Sequence, residues 1–363
     1  MAARRAGRRP RVVIVTPSRA AANNGNWHTA ARWAGFLAAT CDVVVATSWN
    51  GLPCDLLIAL HAQRSAASIR SFAAAHPDRP LVVVLTGTDL YGDVLDSARS
   101  RETLKRATRL VVLNELAPRC LPSALRAKTV VILQSARQLS PGRKPRRHFA
   151  VAVLGHLRDV KNPQLVWALL RELPPDLPVR IRHIGTALDP ALGRKAAHVA
   201  AQDRRYRWLG GLPRAQARQI VRNSHLLLHP SHVEGGAQSV IEAVTAHTAV
   251  IASDVDGNAG LLGRSYPGLF AADDAAAACA LLRRAADEPG FLRQLEQNCA
   301  TRATRFSPER ERAALRRLVA GLLPAARPTP PSRPDRGQAL AGAAPQRRSS
   351  ASPRCAGSRR SRG

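Results

Sequence analysis

Two short runs of this 363-residue chain gather the residue types that handle a phosphorylated ligand. The first is HPSHVEGGAQSVIE, from His229 to Glu242. It follows the apolar residues 226–228, which read as a strand, and it leads into a helical pattern that opens near Ala237. Gly235 and Gly236 allow a tight turn there, and the backbone N–H groups of Gly236 and Ala237 would meet a phosphate at the positive helix end. Glu242 falls within the first two helical turns, where a carboxylate can accept hydrogen bonds from vicinal ribose hydroxyls. Glu234 lies on the loop before the helix, nearer the sugar end of such a ligand. The plainer alternative is that both glutamates are exposed carboxylates complementing the helix dipole.

The second run is VLGHLRDVKNP, residues 153–163, which gives a strand end, a turn at Gly155, and a helix start at Asn-Pro. It carries His156, Arg158 and Lys161. A leaving nucleoside diphosphate gains negative charge as its bond to the sugar breaks, and a fixed cation aimed at it acts mainly on the transition state. Solvated surface cations are the alternative. Lys161 weighs against it, being one of only five lysines among 55 basic residues.

Further candidates fall in the N-terminal half. Asn23, Asn24, Gly25 and Asn26 precede a helix at Trp27, a turn that suits an anion cradle and equally an ordinary strand–helix connection. His61 and the run Thr86-Gly87-Thr88-Asp89 each end an apolar strand and so face the same cleft, with Arg64 in the first of these loops. His61 reads either as a proton acceptor or as a hydrogen-bonded core histidine. Asp254 and Asp256 form a D-x-D, but the local carboxylate count is thin for magnesium, and no metal is expected. The six cysteines are scattered without a CxxC pair, which predicts reduced thiols.

These residues need a scaffold of strands and helices. Strands are predicted at 12–16, 42–46, 56–60, 81–85, 110–113 and 130–133, with helices at 27–39, 66–75 and 101–107. After the polar break SPGRKPRR the pattern restarts: strands at 151–154, 179–184, 206–209, 226–228 and 249–252, and helices at 163–173, 214–223, 237–246 and 308–323. Short, apolar, unalternating strands separated by helices predict parallel sheets covered on both faces. The expected organisation is a basic N-terminus (1–10), a Rossmann-like domain (11–139), a linker (140–148), a second Rossmann-like domain with a terminal helix (149–323), and a Pro/Arg/Ser-rich tail (324–363). The first and last of these read as disordered. Two doubly wound domains put the ligand in the cleft at the strand C-termini.

The formal charge of +30 raises the question of nucleic acid. Residues 1–10 hold four arginines and no acid, and residues 324–363 hold nine against one aspartate, which leaves +18 on the body. That excess suits an anionic ligand, whereas aromatics at 4% are too few for a stacking platform on single strands. No run is long enough to span a membrane, and the basic start leads straight into a strand without a signal-peptide h-region. A cytoplasmic protein that binds small molecules is expected, with no nucleic-acid partner.

The E-x7-E run, with the residues around it, resembles the donor-binding signature of the retaining family 4 glycosyltransferases of the GT-B fold. That resemblance implies an α/β protein with two Rossmann-like domains facing across a cleft, and a metal-independent hexosyltransferase without cofactor. The runs NWHTAARW (26–33), ATSWNGLP (46–53), CDLLIALHAQRS (54–65), HPDRPLVVVLTGTDLY (76–91) and GHLRDVKNP (155–163) are similar to the selenosugar synthases of selenoneine biosynthesis. Those enzymes join selenophosphate to a UDP-sugar through a carbon–selenium bond; the alternatives are a GT-B glycosyltransferase with a hydroxyl or thiol acceptor, and a non-catalytic nucleotide-sugar or nucleic-acid binding protein. On this resemblance Glu234, Lys161 and Arg158 are catalytic. Gly155, His156, Arg158, Lys161, Gly235, Gly236, Ala237 and Glu242 hold the nucleotide-sugar, and Asn24, Gly25, Asn26, His61, Arg64, Thr86, Gly87, Thr88 and Asp89 the acceptor. His156 stands where the family has arginine, so either His156 or Arg158 supplies the second positive charge. His247 and Ala249 stand where the family has glycine and proline.

Overall fold

The computed structural model describes residues 8–18, 25–92 and 98–323, which form two six-stranded parallel sheets with helices on their faces. The first series runs β1 (Arg11–Val15), α1 (Gly25–Leu37), β2 (Asp42–Ala46), β3 (Leu56–Leu60), α2 (Ala66–Ala75) and β4 (Leu81–Leu85). It continues through α3 (Thr88–Tyr91), α4 (Ala98–Arg106), β5 (Arg109–Val112), α5 (Ser123–Arg126) and β6 (Thr129–Val131). Its sheet order is β2-β1-β3-β4-β5-β6. β3 and β4 are buried at every position, which is why LLIAL and LVVVL show no alternation.

The second series runs β7 (Phe149–Leu154), α6 (Pro163–Glu172), β8 (Val179–Ile184), α7 (Pro190–Gln202), β9 (Tyr206–Trp208), α8 (Arg214–Arg222) and β10 (Leu226–His229). After these come α9 (Gln238–Val244), β11 (Ala249–Ser253), α10 (Asp256–Leu262), β12 (Leu269–Phe270), α11 (Ala275–Asp287), α12 (Pro289–Ala303) and α13 (Pro308–Leu322). Its order is β12-β11-β10-β7-β8-β9. Winding reverses at β7, between β8 and β10, and at β1 in the first sheet. Such reversals open a crevice beyond the strand C-termini.

Three features differ from the sequence expectation. β8 alternates, with Arg180 and Arg182 exposed, because this strand next to the edge leaves one face to solvent. Helix α13, expected to complete the second domain, packs on the first sheet: Leu315 and Val319 join Val12, Ile14, Trp33 and Leu37 in one core cluster. The buried Glu311 of α13 anchors it there, accepting from Trp33 Nε1 (2.7 Å) and from Arg32 (2.8 and 3.1 Å). Near the N-terminus, Arg8 pairs with Asp55 at 3.0 Å and Arg9 reaches the Ala38 carbonyl, so residues 8 and 9 are tied to the body. His247, just past α9, has φ 59°, the left-handed value that a helix end asks of glycine. The five described cysteines are free thiols. Among the described residues no helix is long and apolar enough to cross a membrane.

Candidate active site

Loops from the C-terminal ends of both sheets line a cleft of about 550 Å³. On the second-sheet side, the loop after β7 is tied sideways to its neighbours. Gly155 N donates to the Ile184 carbonyl (2.9 Å), Leu157 N to Thr186 (2.9 Å), and His232 N to Val160 (3.0 Å). A single 3-10 turn, Asp159–Lys161, then hands over to α6 through Asn162, whose φ of 48° is left-handed. Asn162 caps the helix by accepting from Leu165 N and donates to Asp273 Oδ1 at 2.8 Å. Lys161 is thereby delivered to the cleft from a fixed turn.

Lys161 Nζ bonds Glu234 Oε1, and His229 Nε2 approaches the same oxygen at 2.9 Å. Ser239 Oγ meets the other ring nitrogen of His229 at 3.1 Å. Glu234 is buried. Burial pushes its carboxyl up, but the Lys161 charge and the His229 hydrogen bond outweigh that and hold it well below the usual carboxylate range. Arg158 lines the cleft beside this group, and its Nε is buried without a hydrogen-bond partner. Burial lowers its pKa, Glu234 opposes the shift, and the Arg64 charge adds to it. His156 Nδ1 accepts from Thr186 N at 3.2 Å, which ties the ring to the loop after β8. Glu242 is buried, with Arg214 on its Oε1 at 2.7 Å.

On the first-sheet side His61 sits at φ 68° with its ring buried, and its Nε2 lies 3.2 Å from Thr88 Oγ1. Burial lowers its pKa more than nearby Asp89 raises it, so the imidazole is neutral at pH 7. Asp89 does not line the cleft. It is fully buried and accepts from the backbone N–H of Ala62 (2.8 Å), Thr86 (2.7 Å) and Gly87 (2.9 Å), which locks the loops after β3 and β4 together. Three backbone donors at a strand end satisfy a carboxylate better than an open cleft would. α1 begins at Gly25, two residues before the sequence expectation, and Gly25 and Asn26 reach the cleft.

Of the residues singled out from sequence, the cleft collects Gly155, His156, Arg158, Lys161, Glu234, Gly235, Gly236, Glu242, Gly25, Asn26, His61, Arg64, Thr86, Gly87 and Thr88. Ala237 is buried before α9 and is not among the lining residues. Asn24 lies outside the described residues. Asp254 and Asp256 do not line the cleft; Asp256 accepts from Cys120 Sγ (3.3 Å) and faces Arg264. Among the described residues no cluster of three or more His, Cys, Asp or Glu side chains could hold a metal ion. Sequence reading missed Arg214, His229 and Ser239. Arg214 follows a Gly-Gly turn at a helix start, a signal lost among 50 arginines.

The two walls touch. A Cβ on Gly87, at φ 133°, would lie 2.7 Å from Gly235 N, and one on Gly236 would lie 2.8 Å from Leu113 Cβ. These close approaches require glycine.

The fold has known counterparts. The Anabaena Alr3699/HepE structure in complex with UDP and glucose superposes with a TM-score of 0.69 at 15% identity, covering 86% of this chain and all of that one. Sucrose-phosphate synthase from Thermosynechococcus elongatus gives 0.71 at 14%, over 87% and 99% of the two chains. A glycosyltransferase from Rickettsia africae gives 0.67 at 12%, over 87% and 99%. No curated protein matches the sequence. The profile of the glycosyl transferases group 1 matches residues 100–305, more than half of the sequence, and the chain belongs to that family of glycosyltransferases.

Proposed function

We propose that this glycosyltransferase moves a hexosyl group from a UDP-sugar to selenophosphate, forming a selenosugar in the cytoplasm without a resident metal. The second-sheet half, from residue 149 to the end of α12, binds the donor, and residues 11–139, with α13 packed on their sheet, bind the acceptor. In this reading Gly155, Lys161, Arg158 and the Gly235–Gly236 backbone hold the diphosphate, and Glu242 accepts from the ribose, steadied by Arg214. As the bond from C1 to the diphosphate oxygen breaks, its electron pair leaves with UDP. Lys161 and Arg158 neutralise the charge that builds there. Glu234, kept ionised, faces the electron-poor anomeric carbon. A C1–Se bond forms, giving a glycosyl selenophosphate whose P–Se bond water can cleave.

The observation that carries the acceptor assignment is that Arg64, from the loop after β3, and Arg158, from the loop after β7, both line the cleft. A small polyanion held there would offset their like charges. Selenium in such an acceptor is already nucleophilic, so positioning matters more than deprotonation. The test is a competition of selenophosphate, thiophosphate and phosphate at fixed UDP-sugar, following UDP release and product mass. Selenophosphate should dominate, with EDTA without effect. Efficient transfer to an alcohol, with no UDP release on selenophosphate, would discard the acceptor and keep only the glycosyltransferase.

A further inference from the structure

The loop that carries Glu234 is gripped by a side chain from the opposite half. Asn114 follows β5, is fully buried, and uses its whole hydrogen-bonding capacity. Its Oδ1 accepts from the backbone N–H of Leu116 and of Ala117, both at 2.9 Å. With two donors on that side, the amide nitrogen must face the other way. There Nδ2 donates to Tyr91 Oη (2.9 Å) and to the Gly235 carbonyl (2.7 Å). The carbonyl only accepts, so the partners fix which end of the amide is which. α10 prevents the side chain from swinging away, since a Cβ on Gly260 would sit 2.6 Å from Asn114 Oδ1. Gly235 is thus clamped between residue 87 and Asn114. The adjoining Glu234 carboxylate is held from the other half by Lys161 and His229.

We propose that Asn114 is a positioning residue: its amide fixes the Gly235 carbonyl, and through it sets the Glu234 carboxylate and the Gly235–Gly236 backbone toward the reacting bond. This rests on Glu234 acting in catalysis as read above. Backbone and side chain of the Glu234 loop then come into register only when both halves are in contact, which couples closure of the cleft to turnover.

The test uses the full chain carrying Asn114→Asp. Aspartate keeps both acceptor bonds to Leu116 and Ala117 but sets an oxygen, in place of a donor, against the Gly235 carbonyl. Turnover of UDP-sugar should fall about tenfold or more, with a smaller loss of UDP affinity by calorimetry. Amide exchange should rise over residues 233–237 and not at Leu116 or Ala117. Tyr91→Phe, which removes the other Nδ2 partner, should turn over near the wild-type rate. Wild-type exchange and turnover in Asn114→Asp would overturn the proposal. So would joint loss of Leu116 and Ala117 protection with UDP binding, which would make Asn114 a folding residue alone. If wild-type protein releases no sugar from UDP-sugars, the functional reading fails, while the exchange comparison still decides whether Asn114 holds the loop.

Discussion

Replacing Lys161 with methionine removes the ammonium charge while keeping an unbranched stem of similar bulk. The side chains of Lys161 and Glu234 are 21% and 8% exposed. Removing one partner of a fully buried pair costs about 3–5 kcal/mol. Lys161 keeps some contact with water and Glu234 keeps His229, so about 2–3 kcal/mol is expected here. At about 2 °C per kcal/mol for a chain of this length, Tm should fall by about 4–6 °C at pH 7. The loss should depend on pH. In the wild type the depressed Glu234 pKa contributes stability above the unfolded carboxylate value, about 4.3, which is lost as pH falls through the folded value. In Lys161→Met the upward push of burial loses its main counterweight, Glu234 titrates higher, and its burial penalty vanishes once it is protonated. Thermal unfolding of both proteins from pH 7 to 3.5 should therefore show a Tm gap that is widest near neutrality and narrows as pH falls through the raised folded value of Glu234 in the variant. Turnover at pH 7 should drop about 10- to 100-fold, as for one electrostatic contact to the developing charge. A Tm gap that stays constant with pH, or intact turnover beside a lowered Tm, would refute the reasoning.

Glu242→Ala should weaken UDP binding by about 1–3 kcal/mol, the cost of a lost charged hydrogen-bond partner, as read by calorimetry. Asp89→Asn turns an amide N–H toward backbone donors and should cost about 2–4 kcal/mol; urea unfolding should show a lower midpoint with an unchanged slope. Arg64→Ala should raise the acceptor KM with kcat largely kept. His61→Asn, which tolerates the left-handed backbone, should retain appreciable turnover. Loss of turnover in His61→Asn would restore His61 as an essential base.

The parallel sheets were legible because runs such as LLIAL and LVVVL have nowhere to sit except between two helical layers. Helix α11 was not read although its buried residues Ala278, Cys279, Leu282 and Ala285 recur at helical spacing, because alanines stand on both its faces; the Asp274 cap, accepting from Ala277 N at 2.8 Å, marks its start. Glu234, Lys161 and Glu242 could be found from local chemistry: Glu234 and Lys161 lie on the loops that leave β10 and β7, and Glu242 on the helix that follows the first of these loops. Asp89 could not be sorted from them. It also ends a strand, and only the three-dimensional arrangement shows its carboxylate turned onto Ala62, Thr86 and Gly87. Contacts across the halves were invisible for the same reason. Trp33 and Glu311 are 278 positions apart, and Asn114 and Gly235 are 121 apart. No local pattern signals such partners.

The most direct measurement of the central claim is the bond formed at the anomeric carbon. Purified protein is incubated with a UDP-hexose labelled with carbon-13 at C1 and with selenium-77 selenophosphate, and the product is examined by NMR. The account predicts a one-bond carbon–selenium coupling at C1 that appears in step with UDP release and is lost in Glu234→Gln. An anomeric carbon bonded to oxygen, with no coupling to selenium while UDP is released, would contradict it.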